Sequence, residues 1–91
     1  MPASSETTVV VRLPDGVDLH ARPAADFVRA AMRFSSHVWV ASGEREVDAK
    51  SLLSILALGA RRGTDLRLRA EGEDAAAALN ALAETVTGLR E

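Results

Sequence analysis

Apolar and polar residues alternate in four short segments of the chain, and this alternation predicts β-strands. The first segment is TVVVRL at 8–13, where Val9, Val11 and Leu13 would share a buried face. The other three segments are HVWVAS at 37–42, REVDA at 45–49 and DLRLRAE at 65–71. Because SGE at 42–44 is typical of a tight turn, we expect the second and third strands to form a hairpin.

Three further segments carry apolar residues at helical spacing, and each has a start or stop signal. The first, at about 23–33, begins with a proline, a residue well tolerated at a helix start. The second, at 50–58, has Ser51 at its N-cap and is stopped by Gly59. The third opens at Asp74, a plausible cap. The apolar stripes are Ala24, Phe27, Val28, Ala31 and Met32 in the first helix and Leu79, Leu82, Val86 and Leu89 in the third.

These elements follow one another in the order βαββαβα. Residues 1–91 are enough for one small domain and too few for two. Four short strands and three helices favour an α+β fold, in which a four-stranded antiparallel sheet is covered by helices on one face. Residues 1–7 are predicted to be a loose N-terminal tail of that single domain.

Composition and charge narrow the classes of function. The chain is 47% hydrophobic and 26% charged, and its net charge of −2 gives no reason to expect binding to nucleic acid or to an anionic membrane. It has no cysteine, which excludes disulfides, thiolate metal sites and cysteine nucleophiles. No apolar run is long enough for a membrane span, and the start MPASSETT is too polar for a signal peptide, so we expect a cytoplasmic protein. Since no metal or nucleotide motif is present, we expect no cofactor.

The segment VDLHARPAADF, residues 17–27, places a histidine where the first helix would begin. His20 is either a helix cap without chemistry or the nucleophile of a phosphate site. Neutral imidazole is a good nucleophile near pH 7, and the unpaired backbone N–H groups of Ala21 and Arg22 would point at phosphate oxygens. Arg22 also supplies a planar guanidinium that stays charged, and Pro23 fixes the start of the helix.

Three motifs together resemble a known family. LHARPAADFV, AKSLLSILALG and AEGED are similar to the corresponding segments of HPr, the histidine-containing phosphocarrier of the bacterial phosphoenolpyruvate-dependent sugar phosphotransferase system. The resemblance extends from about Val9 to Leu89. It implies an open-faced β-sandwich, in agreement with the element order, and it implies a phosphoryl carrier that depends on partner enzymes.

The resemblance also implies roles for individual residues. His20 corresponds to the phosphorylated histidine, Arg22 to its partner arginine and Ser51 to a regulatory phosphorylation position. The helix that docks on partner proteins corresponds to the segment with Leu52, Leu53, Ile55 and Leu56. The implied partners are enzyme I as donor and enzyme IIA domains as acceptors, and a serine kinase or transcription regulator could act through Ser51. We expect the protein to be a monomer.

One segment departs from the family pattern. Family members usually read Asn-Gly-Leu-His or similar before the active site, whereas this chain reads DGVDLH. Gly16 would then be the turn glycine, followed by the inserted pair Val17-Asp18. A carboxylate beside the site would repel a phosphoryl group, so we expect Asp18 to turn outward.

The second helix also predicts a docking surface. Ile55 and Leu58 can face the core, but Leu52, Leu53 and Leu56 cannot all do so. Some apolar area should therefore be exposed beside His20. Arg22 and Arg29 would give this area a basic rim that attracts an acidic partner.

Simpler roles remain open for several residues. Arg22 could be a solvated surface arginine and Ser51 no more than a helix cap. His37 is most simply a strand residue, and Trp39 should lie on the open sheet face. The simpler role for Trp39 there is to stack on Arg67 or Arg69, and the alternative is a self-association surface.

Three functions are open at this point. The first is a phosphocarrier, the second a regulatory docking module of the same fold, and the third an unrelated small α/β ligand-binding domain. The histidine discriminates between the first two, since a module that only docks has no need of a nucleophile at position 20.

Overall fold

A computed structural model describes residues 6–90 of the chain. Its seven elements occur in the predicted order βαββαβα. The strands are β1 (Glu6–Arg12), β2 (His37–Ser42), β3 (Arg45–Asp48) and β4 (Asp65–Glu71). The helices are α1 (Ala21–Ala31), α2 (Leu52–Leu58) and α3 (Ala75–Thr87).

The four strands form one sheet in the order β1-β4-β2-β3, and all its neighbours are antiparallel. The last strand of the chain therefore lies inside the sheet, between β1 and β2. The predicted loose tail is wrong for its last two residues, because Glu6 and Thr7 pair with Glu71 and Ala70. Residues 1–5, the rest of that tail, lie outside the described residues.

The core lies between the helices and one face of the sheet. Fully buried side chains on that face come from the two inner strands: Val38 and Val40 of β2 and Leu66, Leu68 and Ala70 of β4. The helices cover them with Phe27 of α1, Ile55 of α2 and Leu82 of α3, each wholly removed from solvent. The α+β fold predicted from the element order is confirmed, and so is the open-faced sandwich that the family resemblance implies.

Helix α1 begins two residues earlier than predicted. Pro23 is its third residue rather than its first, which costs nothing because N–H groups throughout the first turn have no acceptor in the helix. Met32, expected on the buried stripe, is instead the C-cap and is 64% exposed. The helix has already ended at Ala31, so Met32 no longer faces the core.

Helix α3 begins at the predicted place but not with the predicted contact. Asp74 occupies the N-cap position, yet its carboxylate makes no capping hydrogen bond. It accepts hydrogen bonds instead from the backbone N–H groups of Ser35 and Ser36, at 2.9 Å each, and from the Ser36 hydroxyl. Gly72 permits this approach, since a Cβ there would lie 2.5 Å from the Ser36 oxygen. Asp74 thus ties the start of α3 to the loop before β2.

The three helices of residues 6–90 leave the other face of the sheet uncovered. Trp39 lies there between two stacking partners: the His37 ring at 4.2 Å between centroids and the Arg69 guanidinium at 3.7 Å from the ring. Arg69 also binds the carboxylate of Glu46 at 2.8 Å. Of the two arginines considered for this stacking, Arg69 is the one that makes it, and His37 is a strand residue as predicted. Arg67 donates to the carbonyl oxygen of Gly43 instead.

Candidate functional site

His20 is the N-cap residue of α1 and is exposed to solvent. Its backbone is extended, with φ −133° and ψ 177°, and its carbonyl oxygen accepts the first helical hydrogen bond, from the N–H of Ala24 at 3.1 Å. The imidazole itself makes no capping hydrogen bond. The backbone therefore starts the helix while the ring projects from it, so the simpler role of a side-chain cap does not describe His20.

The residues after His20 present backbone donors. Ala21 and Arg22 are in the first turn of α1, where helical geometry supplies no acceptor for their N–H groups. Ala21 has φ +23°, a positive value that non-glycine residues seldom adopt and that is characteristic of functional sites. The helix N-terminus also carries partial positive charge, so this end of α1 suits an anion.

The loop before His20 is held by the loop that follows α2. Asp18 accepts hydrogen bonds from the backbone N–H of Arg62 at 2.8 Å and from its guanidinium at 3.4 Å. One residue along, the N–H of Leu19 donates to the carbonyl oxygen of Ala60 at 2.8 Å. We refer to these contacts between residues 18–19 and 60–62 as the loop clasp.

Asp18 therefore does not turn outward, and that prediction is wrong. Its side chain is 29% exposed and stays in the loop because Arg62 offers it both backbone and side-chain donors. The hydrogen bonds from Arg62, the backbone one first, lower the pKa of Asp18. The carboxylate next to the site is thus ionised, and Arg62 balances its charge. Val17, the other residue of the expected insertion, is buried in the core.

A cavity of about 370 Å³ lies beside His20. It is lined by Asp18, Leu19, His20, Leu56, Gly59, Ala60 and Arg61. Gly59 ends α2 in the left-handed conformation, with φ +65°, and so turns the chain from the helix into this wall. The structure therefore brings together His20 and Leu56, two of the predicted site residues, and adds Arg61.

Arg22 lies against a different cavity. That cavity, of about 490 Å³, is formed between the start of α1 and the end of α3, with Asp26, Glu84 and Arg90 also in its wall. Its lining does not include His20. The guanidinium of Arg22 is exposed, and two carboxylates are among its neighbours there.

The exposed apolar area expected on α2 is present. Ile55 and Leu58 are buried, whereas Leu52, Leu53 and Leu56 are 41%, 80% and 38% exposed. We call these last three residues the leucine patch. Since Leu56 also lines the His20 cavity, the patch reaches the edge of the site.

Ser51 stands at the start of the leucine patch. Its hydroxyl accepts a hydrogen bond from the N–H of Ser54 at 3.2 Å, which makes it the N-cap of α2 as predicted. Arg29, predicted at the rim, is exposed and bound to Asp26 at 2.7 Å. Its charge is therefore partly balanced within α1.

Residues 6–90 contain neither a cluster suited to a metal ion nor a helix suited to a membrane. No group of three or more His, Cys, Asp or Glu side chains there is arranged to hold a metal ion. Within the same range, no helix is long and apolar enough to cross a membrane.

Sequence reasoning missed Arg61 and Arg62. Both belong to the segment ARRGT, which reads as a plain connection between α2 and β4. The positions of Arg61 beside His20 and of Arg62 beside Asp18 depend on the pairing of β1 with β4, where Arg12 is opposite Asp65. The feature of the sequence that could have indicated them is the pair of adjacent arginines that follows the helix-ending glycine.

Comparison with known proteins agrees with this geometry. A family model for the PTS HPr component phosphorylation site matches residues 5–87. The phosphocarrier protein HPr of Mycoplasma capricolum is 34% identical over 74 residues, which are 81% of this chain and 83% of that protein. The HPr-like protein Crh of Bacillus subtilis is 45% identical over 78 residues, 86% of this chain and 89% of Crh.

Solved structures agree in fold as well. The crystal structure of a phosphocarrier protein HPr from Bacillus anthracis has a TM-score of 0.86 and 35% identity, and the match covers 90% of this chain and 98% of that one. The solution structure of Crh, the Bacillus subtilis catabolite repression HPr, has a TM-score of 0.73 and 41% identity, with 93% and 99% covered. The family model spans most of the chain, and the relatives exceed 30% identity over most of their length. The chain therefore belongs to the HPr family of phosphocarrier proteins of the phosphotransferase system.

Proposed function

We propose that this protein accepts a phosphoryl group on His20 from phosphorylated enzyme I and passes it to enzyme IIA domains in sugar uptake. The observation that carries the proposal is the exposed imidazole at the start of α1, which is not used as a cap and lies beside unpaired backbone donors. Family membership excludes the unrelated ligand-binding domain. We infer further that the carrier works as a monomer in the cytoplasm.

The transfer requires of the carrier only a nucleophilic ring nitrogen and donors for the phosphoryl oxygens. A lone pair on one ring nitrogen of neutral His20 attacks the phosphorus of a phosphohistidine on the donor. The new N–P bond forms as the donor's N–P bond breaks, and the donor ring leaves as neutral imidazole because its second nitrogen already holds a proton. His20 keeps its own proton on its second nitrogen. The N–H groups of Ala21 and Arg22 then stabilise the phosphoryl oxygens.

Docking supplies the remaining geometry. Phosphoryl transfer depends on positioning and charge neutralisation, and a small carrier obtains much of both from its partner. The leucine patch offers exposed apolar area that reaches the His20 cavity at Leu56. Arg22 and Arg29 lie on the exposed side of α1 and favour an acidic partner face.

A second candidate function is a regulatory docking module that acts through Ser51 and α2. Two observations favour it: Ser51 adjoins the leucine patch, and the HPr-like protein Crh is 45% identical to this chain. A serine kinase or a transcription regulator would be the partner in that case. Such a module would have no use for a phosphoryl group on His20.

Phosphorylation of His20 tests the proposal and separates the two functions. Wild type incubated with enzyme I and phosphoenolpyruvate should gain one phosphoryl group by intact mass, and acid should remove it. His20→Ala should gain none and keep the wild-type melting temperature, because the ring is exposed and caps nothing. His37→Ala is the matched control and should be phosphorylated like wild type. Acid-labile label that persists in His20→Ala would exclude the assignment.

A further inference from the structure

Arg61 is held beside His20 by residues on both of its sides. Ala60 accepts a hydrogen bond from Leu19, and the backbone N–H of Arg62 binds Asp18, each at 2.8 Å. Asp18 and Leu19 are the two residues that precede His20. The loop clasp therefore holds Arg61 between two residues that are bound to the segment before His20, and Arg61 and His20 line the same cavity.

The wall of the His20 cavity contains one carboxylate, that of Asp18, and one guanidinium, that of Arg61. The Asp18 carboxylate contributes a negative charge, which on its own would repel a phosphoryl group. Arg62 balances that charge through its hydrogen bonds to Asp18. Of the residues that line the cavity in the described part of the chain, Arg61 alone has a permanent positive charge. Its side chain is exposed, and the ion pairs among residues 6–90 do not include it.

Arg22, unlike Arg61, does not line the His20 cavity. Arg22 shares its cavity with the carboxylates of Asp26 and Glu84, on the side of α1 that faces the end of α3. Arg61 shares its cavity with the imidazole of His20 and the apolar side chain of Leu56. A phosphoryl group that enters the His20 cavity therefore meets Arg61.

We propose that Arg61 binds the phosphoryl group on His20 and that the loop clasp positions it for this contact. The proposal rests on the proposed function, since it requires His20 to be the acceptor. A guanidinium binds phosphoryl oxygens through two N–H donors, and its charge offsets the negative charge brought into a cavity that already contains Asp18. Arg61 is then a binding residue of the carrier that acts before any partner is docked.

A chemical donor tests this contact without a partner protein. Phosphoramidate transfers its phosphoryl group to imidazole: a ring nitrogen attacks phosphorus, the N–P bond of the reagent breaks, and ammonia leaves. Arg61→Ala should slow phosphorylation of His20 by phosphoramidate about fivefold. Arg61→Lys should recover part of the loss. Arg67→Ala, which removes an arginine from the open sheet face, is the matched control and should react at the wild-type rate.

NMR provides a readout that does not depend on a variant. On phosphorylation, the Nε–H signal of Arg61 should move downfield, while that of Arg67 should not. An unmoved Arg61 signal together with equal phosphoramidate rates for Arg61→Ala and Arg67→Ala would overturn the inference and leave the proposed function standing. Absence of label at His20 from both phosphoramidate and enzyme I would overturn the proposed function and this inference with it.

Discussion

Three residues occupy the same position, the N-cap of a helix, and each uses it differently. Ser51 caps α2 with its hydroxyl. Asp74 begins α3 but gives its carboxylate to Ser35 and Ser36, and His20 begins α1 with its ring unused as a cap. Only the role of Ser51 could be predicted locally, because the N–H group that donates to its hydroxyl belongs to Ser54, three residues along the chain. The serines bound by Asp74 are 38 and 39 residues away, beyond the reach of a local pattern.

Ser51 supports a prediction at this scale. Ser51→Asp should keep a melting temperature close to wild type, because aspartate caps a helix about as well as serine and its charge suits the helix N-terminus. Its phosphorylation by enzyme I should nevertheless be at least about fivefold slower, since a carboxylate beside the leucine patch must be desolvated against an acidic partner. Thermal melts and initial rates measure the two effects.

Ser51→Ala is the control for the cap itself. It should lose about 1 kcal/mol of stability. Because it adds no charge, its rate of phosphorylation should match wild type. If Ser51→Asp reacts at the wild-type rate or unfolds, Ser51 is a structural cap and has no regulatory role.

At the scale of elements, α2 was the most predictable part of the molecule. Its cap, its ending at Gly59 and the division between the buried Ile55 and Leu58 and three exposed leucines all agree with the sequence pattern. The start of helix α1 was less predictable, because Pro23 is equally acceptable at the first and third helical positions. Which of the two positions Pro23 occupies depends on the backbone conformation of His20 and Ala21, and the spacing of apolar residues does not indicate that conformation.

The exposed face of α2 gives the second prediction here. Leu53→Glu should weaken binding to enzyme I at least about tenfold, because the introduced carboxylate would be buried without a partner at the interface. The melting temperature and the phosphoramidate rate should remain those of wild type, since Leu53 is 80% exposed and does not line the His20 cavity. Titration calorimetry with enzyme I measures the affinity.

Val10→Glu provides the matched control for this change. Val10 is an apolar residue, 57% exposed, on the edge strand β1 rather than on α2. Its variant should bind enzyme I like wild type. Equal affinities for the Leu53 and Val10 variants would place the docking face elsewhere.

At the scale of the whole molecule, the site depends on contacts between distant parts of the chain. The loop clasp joins Asp18 to Arg62, 44 residues along. The sequence predicted β1 and β4 as strands but could not show that they are neighbours, because strand order is decided by the packing of the whole sheet. Arg61 and Arg62 were missed for that reason.

Global stability should depend on pH through Asp74. Hydrogen bonds from the Ser36 hydroxyl and then from the Ser35 N–H lower the pKa of Asp74 from 3.8 to about 2. A carboxyl group whose folded pKa lies below its unfolded pKa stabilises the fold above the unfolded value. The melting temperature should therefore fall as the pH is lowered from about 4 towards 2.

Asp74→Asn tests the source of this dependence. It should melt at a lower temperature than wild type at pH 7 and should lose less stability on acidification, because the titrating group has been removed. Asp15→Asn changes an exposed carboxyl in the loop after β1 and should retain the wild-type pH profile. Identical pH profiles for wild type and Asp74→Asn would show that another group dominates acid unfolding.

The position of β4 inside the sheet has a consequence for the newly made protein. Of the elements in residues 6–90, a ribosome completes only β1 before it adds His20. Residues 60–62, which form the loop clasp with residues 18–19, and the strand that pairs with β1, Asp65–Glu71, are added only after α2. A nascent or truncated chain that lacks β4 therefore contains His20, the proposed acceptor, without the strand that pairs with β1. We expect competence to carry a phosphoryl group to arrive with completion of the sheet.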